Sequence, residues 1–62
     1  MQFKVSTIDS SDSAEKLKQT ILTSEPEANV EIDSESKVVT IDSQASEETF
    51  KQIIVAAGHK LA

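Results

Sequence analysis

Residues 30 to 41 read V-E-I-D-S-E-S-K-V-V-T-I, and this stretch sets the fold. Val30 and Ile32 alternate with Asn29, Glu31 and Asp33, which is the period of a strand with one wet face. Asp33-Ser34-Glu35-Ser36 is a polar turn, and Lys37 to Ile41 resumes the alternation with Val39 and Ile41 on one face. Two such runs joined by a short polar link read as an antiparallel hairpin.

Outward from the hairpin the period changes on both sides. On the amino-terminal side, Ala14, Leu17 and Ile21 recur at helical spacing, and Leu22 widens the stripe. Ser10, Ser11 and Asp12 are all N-cap candidates, and Pro26 stops this helix by Ser24 or Glu25. Before it, Phe3, Val5 and Thr7 alternate with Gln2, Lys4 and Ser6 as a first strand. On the other side Ser46 caps a second helix that opens with Glu47-Glu48, acid at the positive end of the helix dipole. Phe50, Ile53, Ile54 and Ala57 form its apolar stripe, Gly58 suits a left-handed C-cap, and His59 to Ala62 leave room for a short last strand.

The order strand, helix, strand, strand, helix, strand predicts an α+β fold. It is the ferredoxin-like β-α-β-β-α-β sandwich, a four-stranded antiparallel sheet with two helices on one face. Residues 1–62 are read as a single domain with a core of Phe3, Val5, Ile8, Leu17, Ile21, Val30, Ile32, Val39, Ile41, Phe50, Ile53, Ala57 and Leu61.

Composition removes several functional classes. The chain has 62 residues, a formal charge of −5 and no cysteine, so neither a disulfide nor a thiolate metal site is available. The six basic residues are all lysine and scattered, and Phe3 and Phe50 are the only aromatics. Both facts argue against nucleic acid. The longest apolar run, Ile53 to Ala57, cannot cross a membrane, and Met1-Gln2-Phe3-Lys4 has no secretory character. A soluble, cytoplasmic chain is expected. Glu25, Glu27, Glu31, Asp33 and Glu35 read as a solvated acidic end. Ser10, Ser11 and Ser13 lack an orienting acid and an oxyanion site, so no enzyme is expected.

The whole chain resembles the heavy-metal-associated domain, the fold of small copper chaperones and of the amino-terminal modules of metal-transporting P-type ATPases. The residues that carry the likeness are Lys16-Leu17, Val30-Glu31-Ile32-Asp33, Lys37-Val38-Val39-Thr40-Ile41 and Ala56-Ala57-Gly58-His59. That family places Met-x-Cys-x-x-Cys between its first strand and first helix. In this register Ile8 takes the Met position, Asp9 follows it, and Ser10 and Ser13 take the two Cys positions. Thr7-Ile8 together with Ala-Gly-His looks most like the copper chaperones of cyanobacteria.

The resemblance implies copper(I) as the family's cargo and His59 as an auxiliary ligand. It implies amino-terminal metal-binding domains of P-type ATPases as docking partners, met through Ser11, Asp12 and Lys16. It also implies a monomer or weak dimer.

Copper(I) prefers thiolate, whereas a serine hydroxyl stays protonated at neutral pH and is a poor donor to a soft ion. The chain is therefore expected not to bind copper(I) tightly and to need no cofactor. Asp9 and Asp12 offer two carboxylates, well short of the six or more oxygens that calcium recruits. Copper(II) or nickel on His59 alone would be adventitious. The alternative reading is a metal-independent interaction or regulatory module on the same scaffold.

Overall fold

A computed structural model describes all residues, 1–62. Strand β1 spans Gln2–Lys4, helix α1 Ser11–Ser24, β2 Asn29–Asp33, β3 Val38–Asp42 and helix α2 Glu47–Ala56. The sheet is antiparallel in the order β1-β3-β2.

Register explains which face is buried. Phe3 faces Val39, which faces Ile32, and Ile41 faces Val30; this row turns toward the helices. The intervening row, Gln2, Thr40 and Glu31, is exposed. Period-two alternation thus gives the sheet one dry face, and α1 and α2 close it.

The expected fourth strand does not form. The sheet has three strands, and residues 59–62 contribute only an isolated bridge, Val5 to Leu61. The reason lies in where their backbone groups are spent. His59 N–H closes the end of α2 on the Ile54 carbonyl at 3.2 Å, and Lys60 N–H goes to the Thr7 hydroxyl at 3.0 Å. That leaves two sheet bonds: Ser6 N–H to the Lys60 carbonyl at 3.2 Å and Ala62 N–H to the Lys4 carbonyl at 2.9 Å. The first strand is shortened as well. Ile8 N–H turns back to the Val5 carbonyl at 3.3 Å, so Ser6 and Thr7 form a turn rather than a continuation.

Both helices start where their caps dictate. Ser10 Oγ accepts the Ser13 N–H at 3.1 Å, and Ser46 Oγ accepts the Thr49 N–H at 3.2 Å. Each such cap is worth about 1 kcal/mol. At the end of α2, Gly58 has φ +90°, and its N–H bonds to the Val55 carbonyl beside the His59–Ile54 bond. That pair of bonds around a left-handed glycine is a Schellman motif.

The core comprises Phe3, Val5, Ile8, Ala14, Leu17, Ile21, Ala28, Val30, Val39, Ile41, Phe50 and Ile54. Three expected members sit at its margin: Ile32, Ile53 and Leu61 are half-buried. Ala57, which caps α2, is exposed. Ile54 takes the inner place because it lies one helical turn from Phe50, at i+4. Ile53, at i+3, is rotated toward α1 and lines the groove between the helices. Ala14, the first member of the α1 stripe, and Ala28, just before β2, complete the core.

The hairpin turn carries its own electrostatics. Asp33 Oδ1 accepts the backbone N–H of Glu35 at 2.9 Å and of Ser36 at 3.4 Å. Those bonds, with Ser36 first and Glu35 second, hold the Asp33 carboxyl below its ordinary value of 3.8. A depressed carboxyl stabilises the fold fully above the unfolded value and ceases to do so as pH falls through the folded one. The stability gap between the unsubstituted chain and Asp33→Ala should therefore be constant near neutrality and narrow below pH 3.8. Urea midpoints measured across that range check it, and a gap that stays constant into acid would contradict it. Lys37 ends the turn at φ 62°, a left-handed residue that is not glycine. Such a conformation costs a side-chain-bearing residue about 1–2 kcal/mol.

Candidate functional site

The first turn of α1 and the segment after α2 meet at one end of the molecule. Between them lies a shallow cleft of about 350 Å³ whose walls include Ser10, Asp12, Ser13, Lys16, Ala57 and His59. Ser10 is the N-cap, and Ser13, Asp12 and Lys16 ride on the opening turns of the helix. Opposite them, Gly58 reverses the chain so that His59 returns toward the cleft.

Five residues singled out in the sequence are thus brought together: Ser10, Ser13 and His59, with Asp12 and Lys16 beside them. Three residues fall elsewhere. Ile8 is completely buried and acts as a core residue, while Asp9 and Ser11 are exposed and do not line the cleft.

The chemistry of the walls is that of hydroxyls, one carboxylate, one ammonium and one imidazole. Ser10 Oγ is engaged as the helix cap, so it has a structural task whether or not anything binds. Asp12 and Lys16 are four apart on α1 yet form no ion pair; the single salt bridge is Glu47 to Lys51 on α2, at 3.8 Å. Nowhere do three His, Cys, Asp or Glu side chains gather in an arrangement able to hold a metal ion. Asp9 and Asp12 have no third such side chain gathered beside them.

One residue of this region escaped sequence reasoning. Alternation places Thr7 in the first strand, but its hydroxyl lies 2.8 Å from His59 Nδ1 and 3.0 Å from the Lys60 backbone nitrogen. The available signal was topological: the loops after the first strand and after the second helix must end side by side.

No protein-family model matches the sequence, and no curated protein does so either. Solved structures do match. The copper chaperone Atx1 from Synechocystis PCC6803 is 32% identical, with a TM-score of 0.94 over 100% of this chain and 98% of that one. A cyanobacterial copper metallochaperone, ScAtx1, solved in solution is 34% identical, with a TM-score of 0.81 over 100% and 97%. A crystallised gold binding protein is 26% identical, with a TM-score of 0.91 over 100% and 98%. No helix is long and apolar enough to cross a membrane. Identity of about a third with copper chaperones, sustained over the entire length and the same backbone, means that this cysteine-free chain belongs to the Atx1-like copper chaperones of the heavy-metal-associated fold.

Proposed function

We propose that the chain is a copper-chaperone module emptied of its cargo, which keeps the family's docking end and no longer carries copper(I). The observation that carries this reading is the juxtaposition of Ser10, Ser13 and His59 around one cleft in a chain that has no cysteine. The scaffold is whole, and what is missing is sulfur. A hydroxyl cannot replace a thiolate for a soft monovalent ion, and one imidazole cannot replace two thiolates. Residues 1–62 act as one cytoplasmic unit without catalytic activity.

Docking is assigned to Ser11, Asp12 and Lys16 on the exposed start of α1, with His59 across the cleft. The partners are amino-terminal metal-binding domains of P-type ATPases, by likeness to the family. Charge complementarity would set the encounter rate more than the affinity. With the labelled chain and such a domain, amide shift perturbations are expected around Ser10–Leu17 and His59. They should be present without copper and unchanged when copper(I) is added under a competing chelator. Perturbations confined to other surfaces would favour a metal-independent module with a different partner. A stoichiometric copper(I) complex of the unmodified chain would overturn the reading outright.

A further inference from the structure

His59 has one ring nitrogen already committed. Its Nδ1 lies 2.8 Å from Thr7 Oγ1, in a partly buried contact between positions distant in sequence. The same oxygen accepts the backbone N–H of Lys60 at 3.0 Å. A threonine hydroxyl owns one proton and two lone pairs, while a neutral imidazole has one donor and one acceptor nitrogen. Lys60 takes up a lone pair on Oγ1. The acceptor left for the hydroxyl proton is His59 Nδ1, and donating to it satisfies that proton, Nδ1 and the Lys60 N–H together.

We propose that Thr7 is a positioning residue that holds neutral His59 as its Nε2–H tautomer, so that the ring presents an N–H donor to the cleft. His59 lines the cleft and Thr7 does not; with Nδ1 engaged, Nε2 is the ring nitrogen left for whatever binds there. The inference goes beyond the docking reading and stands whether or not a partner is found.

The chemical class that suits this arrangement is an acceptor oxygen, a backbone carbonyl or carboxylate of a docked chain. A cation on Nε2 meets an obstacle. The ring proton would have to move to Nδ1, and the Thr7 hydroxyl would have to turn over to accept from it. Its own proton would then have no protein partner, a loss felt in a half-buried site. Thr7 thereby biases the imidazole toward hydrogen bonding and away from metal ligation.

Long-range proton–nitrogen correlation of the His59 ring, recorded at a pH where the imidazole is neutral, tests this directly. In the unsubstituted protein Nδ1 should fall at the pyridine-like extreme and Nε2 at the pyrrole-like extreme. Thr7→Val should pull both nitrogens toward the averaged values of free imidazole, and Thr7→Ser should return them. A pyrrole-like Nδ1 in the unsubstituted protein overturns the proposal, and that spectrum needs no variant to fold. Unchanged ring nitrogens in a folded Thr7→Val protein overturn it equally. A generic packing role for Thr7 would move amide signals and thermal midpoint without moving the tautomer.

Discussion

Ser10→Cys/Ser13→Cys is expected to turn a chain silent toward copper(I) into one that takes up the ion stoichiometrically and holds it against a chelator. The change in affinity should span many orders of magnitude, because both substitutions install the donor type the ion prefers. The geometry already suits it. Position 10 is the N-cap and position 13 lies one turn further on, with the Ser13 N–H 3.1 Å from the Ser10 side chain. Free amide groups and the dipole of α1 favour anionic sulfur there, lowering the thiol pKa.

Cysteine is a weaker cap than serine, so the metal-free double variant should be destabilised by about 1 kcal/mol. Copper(I) binding should reverse this by mass action. Competition with a cuprous chelator and thermal denaturation with and without the ion measure both halves. A folded double variant that stays silent would mean that the cleft has lost more than sulfur.

The second large effect concerns the core. Ile54→Ala should destabilise the fold by about 2–5 kcal/mol, since it empties a fully buried site in the core. For a domain of this size that is comparable to its entire margin, and the variant should be largely unfolded at room temperature. Ile53→Ala removes the same atoms from a half-buried position facing the interhelical groove. Its cost should be distinctly smaller, near the low end of that range. Leu17→Ala, at 1% exposure, should behave like Ile54→Ala. Urea denaturation of the three variants gives the ranking. Equal costs at Ile53 and Ile54 would mean that α2 is rotated from the position described.

The same pair of isoleucines shows what the sequence could and could not reveal. The hairpin was legible because its alternation is strict and its turn polar, and both helix starts were legible because serine caps announce them. The choice between Ile53 and Ile54 was not legible. Adjacent apolar residues both belong to a wide helical stripe, and only the partner surface decides which points inward. The last strand failed for a related reason: β-propensity cannot reveal that His59 and Lys60 spend their N–H groups on a helix end and a hydroxyl.

Within the cleft, Ser10, Ser13 and His59 were found through the register with a known family. Residue chemistry alone would have passed over serines that also make a good helix start. Thr7 was missed because its task depends on a contact across most of the chain, with nothing local to mark it.

The bridge at Val5 and Leu61 gives the cleft unequal walls. One wall is the opening of a capped helix anchored through Leu17 in the core. The other is a tail stitched down by a handful of bonds, and it bears the imidazole. The two jaws are therefore held by different means, one by core packing and the other largely by hydrogen bonds.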